Sequence, residues 1–291
     1  MEKQWAGTTY GSGWMHRQLI RLLRHVDVLV PYVFSAIFIV PVCLLINSSR
    51  RTAYRYFRDR QGFGRLKSVW KTYTNHCLFS QVVIDKFAMY AGRRFDVTVK
   101  GMDLFDQLAA RDEGFEMLSS HIGNYEIAGY SLVSERKKIN AVVYEFEKQQ
   151  VMLNRSNMFG RTNVGMIALK QDMSHLFEID AALSSGDIVS FPADRSMGGR
   201  CIECELLGAK ADLPLGPFRV AAMRSLDVLA VNVMKTGLRA YTIYVTPLEY
   251  DKEASRNEQV QMLSNAYSAE LEKMLKAYPD QWFNFFDFWK K

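Results

Sequence analysis

Two residues stand out for their type and spacing: His121 and Glu126, in the stretch HIGNYE. The chain has five histidines, and His121 is the one at a turn from an apolar strand-like stretch into a helical one. A carboxylate behind an imidazole fixes its tautomer and stabilises the imidazolium that forms on proton uptake. That arrangement makes His121 a general base, which contributes about 10²–10⁴ in rate. Its work would be to take a proton from an acceptor hydroxyl or amine while the acceptor attacks a carbonyl. On one continuous helix, residues five apart point about 140° apart, since each residue turns the chain ~100°. The pair can meet only if His121 precedes the helix. Gly123 lets backbone approach a ligand closely, and Asn124 suits the N-cap of the helix carrying Glu126. Read in isolation, an H-x4-E spacing fits equally a structural histidine and a surface carboxylate. Ser119 and Ser120 adjoin His121 as alternative nucleophiles, outside any G-x-S-x-G turn.

The elements around the pair come from alternation of short apolar strands with helices. FDVTVKG, FEMLSS, INAVVYEF, DIVSFPADR, DVLAVNVMK and AYTIYVTPLEY read as strands. MDLFDQLAAR, YEIAGYSLVSE, HLFEIDAALSSG, GPFRVAAMRSL and residues 255–277 read as helices. The expected fold is α/β, a mixed sheet flanked by helices. Sites in such sheets lie at the C-terminal ends of strands, where both His121 and the FPADRS loop fall. Residues 51–92 read as two helices with a break at 61–64.

Residues 28–46, VLVPYVFSAIFIVPVCLLI, carry no charge. About 20 apolar residues cross a bilayer as a helix. Before this run, Leu19, Leu22, Leu23 and Val26 share one helical face and Arg17, Arg21 and Arg24 the other, the pattern of a helix in the headgroup layer. After it come Arg50, Arg51, Arg55, Arg58, Arg60, Arg65 and Lys67. If the run spans, the denser positive flank puts the main domain in the cytoplasm. A buried core helix or an interfacial hairpin is the alternative. The expected organisation is an amphipathic helix and membrane anchor in residues 1–48 and a catalytic domain in residues 49–291.

The net charge of +6 suits an anionic partner without choosing one. Cys201 and Cys204 form a single CxxC that fits a strand with partly buried thiols better than a zinc site, and the four cysteines do not form a disulfide framework pattern. No metal and no cofactor is expected. Nucleic acid is not expected as a partner, since no binding motif accompanies the arginines.

LSSHIGNYEIAG resembles the H-x4-D/E block of the bacterial lysophospholipid-type acyltransferases, and more closely the late lipid A acyltransferase branch. FPADRSMGG, CELLGAKADLPLGPFRVAA and the ending YPDQWFNFFDFW resemble later blocks of that family, in the same order; QWAGTTYGS resembles the opening of a subgroup. The resemblance implies a glycerolipid acyltransferase-like fold. It implies transfer of a fatty acyl chain from acyl carrier protein or acyl-CoA to a lipid acceptor. The location implied is the cytoplasmic face of the bacterial inner membrane. It makes His121 the base and Glu126 its partner. Asp194 and Arg195 then line the substrate site, and Gly208, Gly216 and Arg219 shape a second wall. A surface ion pair for Arg195 and a solvated helix face for Arg219 are the plainer alternatives. Glu126 stands where many relatives have Asp, and ADRS where the better-known lipid A enzymes have a D-Q pair. Those departures bear on the acceptor. Competing functions are a thioesterase-like hydrolase using Ser119 or Ser120 and a non-catalytic membrane adaptor that keeps the fold.

Overall fold

The computed structural model describes residues 13–144, 163–170, 172–196, 199–286 and 288–289. The opening QWAGTTYGS lies outside them.

Four helices come first. They are α1 (Gly13–His25), α2 (Leu29–Ile46, with a π-helical stretch at Ser35–Ile39), α3 (Ser49–Arg55, continued by a π-helical turn to Arg60) and α4 (Arg65–Tyr90). The polar break expected at 61–64 separates α3 from α4. Gly64 precedes α4 with extended backbone. Arg50 donates to the carbonyls of Leu44 and Leu45, capping the end of α2. On α1, Leu23 is fully buried with Val28, Tyr32, Phe87 and Ala88, so the face read as lipid-facing is partly spent on α4. Leu22 remains half exposed, and Arg17, Arg21 and Arg24 point outward.

The rest alternates strands and helices. The order is β1 (Asp96–Lys100), α5 (Met102–Ala109), β2 (Phe115–Gly123), α6 (Ala128–Ser131), β3 (Ile139–Tyr144) and β4 (Val164–Leu169). Then come α7 (His175–Ser184), β5 (Ile188–Pro192), β6 (Cys201–Leu206), β7 (Ala209–Pro214), α8 (Leu215–Arg224), β8 (Val228–Lys235), β9 (Ala240–Pro247) and α9 (Arg256–Ala277). Seven strands form one mixed sheet in the order β1-β9-β8-β2-β5-β3-β4, antiparallel only at β8–β9. Strands β4 and β7 were not anticipated. β6 and β7 form a separate hairpin turned at Leu207 and Gly208, both with positive φ, the geometry of a tight two-residue turn. Cys201 is exposed and Cys204 buried on β6, so the CxxC is strand, as expected.

β2 is central and divides two cores. One lies on the α8–α9 side, with Leu118, Ile122, Phe218 and Leu263; the other holds Met117, Ile127 and Val231. Helix α9 begins with the Ser255–Glu258 capping box, which satisfies two orphan donors.

Candidate active site

β2 and β5 run parallel with Ser119 paired to Pro192, and Ala193 N donates to Ser119 O at 2.9 Å. Two residues further on stand His121, still in β2, and Asp194, just past the end of β5. Asp194 Oδ1 is 2.7 Å from His121 Nδ1, and Asp194 Oδ2 accepts from His121 N at 2.9 Å. Asp194 is fully buried, while the His121 side chain is 22% exposed. Burial pushes the Asp194 carboxyl up. The charge and hydrogen bonds of His121, with help from Arg195, more than offset this and hold it below the usual carboxylate range. A carboxylate on Nδ1 selects the tautomer with the proton on that nitrogen. Nε2 makes no hydrogen bond among the described residues and is the nitrogen left to exchange a proton.

The carboxylate on the ring is therefore Asp194 rather than Glu126, the partner expected from spacing. Glu126 is buried and faces α4, where Lys86 Nζ is 2.5 Å from Oε1 and Tyr90 Oη donates to Oε2 at 3.1 Å. The reason is the backbone between them. β2 does not stop at Ser120 but continues through a bulge to Gly123, with Ser119 opposite Val231 and Gly123 opposite Val233. Such a bulge re-aims side chains, here turning His121 toward β5. The chain then enters a 3₁₀ turn, Tyr125–Ile127, instead of a long helix. The Tyr125 ring stands edge-on to His121 with centroids 5.5 Å apart.

Gly123 and Asn124 also serve differently from expectation. Gly123 has φ +61°, and a Cβ there would sit 1.8 Å from Val233 O. What approaches it closely is the β8 backbone. Asn124 makes no side-chain cap; its N donates to Val233 O and its O accepts from Ile127 N. Neither serine is poised beside the imidazole. Ser120 Oγ is buried and donates to Asn232 Oδ1 at 3.0 Å, and Ser119 Oγ donates to Phe191 O at 3.3 Å.

Arg195 lies against the C-terminal segment. Its Nη2 donates to Phe283 O at 2.7 Å, and its guanidinium is 5.8 Å from the Phe286 ring centre. The expected second wall is not gathered here. Gly208 tips the β6–β7 hairpin, Gly216 is exposed in the first turn of α8, and Arg219 is exposed on that helix, as the plainer reading had it.

The C-terminal aromatic segment, in contrast, belongs to the site. Trp282 forms an antiparallel bridge with Ile122, and Phe283 N donates to His121 O at 3.3 Å. Gln281 pairs with both backbone groups of Lys235, and Asn75 Nδ2 donates to the carbonyls of Asp280 and Trp282. Tyr267 Oη donates to Ser119 O at 2.9 Å from α9. Nothing in the sequence named β2 as the partner of this tail. Among the described residues no cluster of three or more His, Cys, Asp or Glu side chains could hold a metal.

Residues 82–291 match the family model for bacterial lipid A biosynthesis acyltransferases. The chain belongs to that family. This acyltransferase is also similar to the crystal structure of the 1-acyl-sn-glycerophosphate (LPA) acyltransferase PlsC from Thermotoga maritima. Identity is 14%, the match covers 90% of this chain and 98% of that one, and the TM-score is 0.39. The comparison with curated proteins returned no match. Family membership makes the chain an acyltransferase of lipid biosynthesis, and the buried carboxylate–imidazole pair lies inside the matched region.

Proposed function

We propose that this acyltransferase moves a fatty acyl chain from the thioester of acyl carrier protein or CoA to a hydroxyl or amine of a membrane lipid, with lipid A-like precursors as the favoured acceptors. The observation that carries the reading is the His121–Asp194 pair, with Nδ1 engaged and Nε2 open. His121 Nε2 takes the acceptor's proton as its oxygen or nitrogen attacks the thioester carbonyl. The C–S bond then breaks, and the thiolate leaves with the proton held by the imidazolium. Asp194 orients the ring and stabilises its charged form. Glu126 ties the 125–127 turn to α4 through Lys86 and Tyr90. Arg195, half-buried beside Asp194, is the guanidinium this reading assigns to a phosphate or developing oxyanion.

The membrane is the source of the acceptor, and the N-terminal helices are the attachment. Helix α2 is apolar and only 17% buried. Its inner face lies along α4: Tyr32 bonds Asp85, Ser35 Oγ is 2.5 Å from Ser80 Oγ, and Tyr73 Oη donates to Ala36 O. Its outer face exposes Val30, Phe34, Phe38, Val42 and Leu45, and α4 adds Leu66, Val69 and Trp70. Eighteen helical residues span about 27 Å, short of a ~30 Å hydrocarbon core. A helix strapped along α4 by polar contacts that include the charged Asp85 supports lying in the interface over crossing it. The site then faces the cytoplasmic leaflet of the inner membrane, where acyl thioesters are available.

The test is lipid profiling by mass spectrometry of cells with the protein, without it, and with His121→Ala. A lipid gaining one acyl chain in the first and in neither of the others is the expected result. An unchanged lipid profile across all three would falsify the reading.

A further inference from the structure

Ser119 is the last residue of β2 paired on both sides, with Pro192 of β5 and Val231 of β8. The bulge that presents His121 follows it directly, so its backbone sets where the bulge starts. The Ser119 carbonyl oxygen takes two hydrogen bonds. One comes from Ala193 N at 2.9 Å, from the residue just before Asp194; the other comes from Tyr267 Oη, also at 2.9 Å. A carbonyl oxygen has two lone pairs, and both are engaged here.

Tyr267 reaches this point from α9. It is 2% exposed, and its ring packs on Phe218 of α8 with centroids 5.7 Å apart. Ser120 Oγ, which donates to Asn232 Oδ1, lies against the same phenol. Residues 119 and 120 are therefore both held before the chain reaches His121. Burial, and after it the nearby Asp194 charge, push the Tyr267 hydroxyl well above its ordinary range, so it stays a neutral donor. Among the described residues no hydrogen bond joins the phenol to the His121 ring or to the Asp194 carboxylate. Its action on the pair runs through the backbone of β2. That action matters because a misplacement of about 1 Å in a reacting group costs about 10²-fold in rate.

We propose that Tyr267 is a positioning residue: its bond to Ser119 O fixes the end of β2 against β5 and so keeps the His121 imidazole on Asp194. The proposal rests on the acyl-transfer reading above. Tyr267→Phe removes a single oxygen and leaves Ser119 O bonded to Ala193 N, so no buried carbonyl is stranded. The loss then falls on alignment more than on folding.

The test uses the full chain in detergent, with palmitoyl thioesters of acyl carrier protein and of CoA and a solubilised bacterial lipid extract. Thiol release is followed with a chromogenic disulfide. Tyr267→Phe is expected to lower kcat by about 10–10²-fold, with KM for the thioester within about threefold. In an Asp194→Asn background the same change should cost less than about threefold, because the contact it protects is already lost. Phe218→Leu loosens the packing on the same ring and keeps the hydrogen bond. It should lower the unfolding temperature at least as far as Tyr267→Phe does, yet leave kcat within about threefold. A kcat that follows unfolding temperature across the two variants overturns the proposal, as do equal losses with and without the Asp194 carboxylate, or a rise in KM alone. Release lost in His121→Ala but kept in full in Tyr267→Phe overturns this proposal and leaves acyl transfer standing. No thiol release by the parent protein overturns both.

Discussion

His121 and Asp194 stand opposite one another because each lies two residues past a paired position, Ser119 on β2 and Pro192 on β5. The parallel register sets the two positions level, and the bulge in β2 turns the imidazole to the carboxylate. Removing the charge but keeping the shape should therefore be informative. Asp194→Asn is expected to lower kcat by about 10²–10⁴-fold with little change in KM, while Glu126→Gln, which leaves Nδ1 engaged, should lose far less. Equal losses in the two variants would return the ring's partner to Glu126. The depressed pKa of Asp194 adds a pH signature. A carboxyl whose folded pKa lies below its unfolded value of about 3.9 contributes stability above that value and loses it as pH falls through the folded one. Asp194→Asn should flatten the acid limb of unfolding below about pH 4.

Glu116 titrates in the opposite sense. It is fully buried on β2, neither oxygen has a partner among the described residues, and burial pushes its carboxyl well above the usual range. The folded state holds a proton that the unfolded state releases. Its neutral form is tolerated below the unfolded pKa of about 4.3, and stability falls as pH rises toward the folded value. Glu116→Met should raise stability by about 1–3 kcal/mol, with a larger gain at pH 8 than at pH 5. Denaturant titrations at the two pH values measure this; a gain independent of pH would mean the carboxyl is already ionised in the folded protein.

Asp85 and Lys235 form the most enclosed ion pair among the described residues, 2.5 Å apart, with Tyr32 and Tyr241 also donating to the carboxylate. Asp85→Leu strands a buried ammonium and should cost about 3–5 kcal/mol. Adding Lys235→Met should recover most of that loss. A double-mutant cycle in detergent reads the coupling, and additive losses would show that the two charges act independently.

Gly123→Ala combines a positive φ with a Cβ inside the space of Val233 O. The bulge that aims His121 has to move to admit it. The variant should lose at least about 3 kcal/mol, and any protein that accumulates should be inactive. Native stability with full activity would mean that the bulge is not needed to present the imidazole.

The short apolar runs FEMLSS, DVLAVNVMK and AYTIYVTPLEY, set between helical stretches, announced the sheet, and the break at 61–64 announced two helices. His121 was legible because a polar run of HIGN follows a buried strand. Its partner was not, since spacing along the chain describes one element and Asp194 arrives from a neighbouring strand 73 residues on. The same limit hid Lys86, 40 residues before Glu126, and the pairing of Trp282 with Ile122. β7 went unread because AKADLP lies in a block taken whole from the family pattern. Local period reports burial on a face; it does not report which other element supplies that burial.

The tryptophans fall into separate optical populations. Trp14 and Trp70, 62% and 61% exposed, ride on the N-terminal helices, whereas Trp282 is 3% exposed and paired to the histidine strand. Lipids with brominated chains should quench the first group on contact and leave the second bright. Red-shifted emission from Trp282, with the other tryptophans replaced by phenylalanine, would instead mark departure of the C-terminal segment from β2. Emission colour and quenching can thus separate arrival at a bilayer from opening of the site.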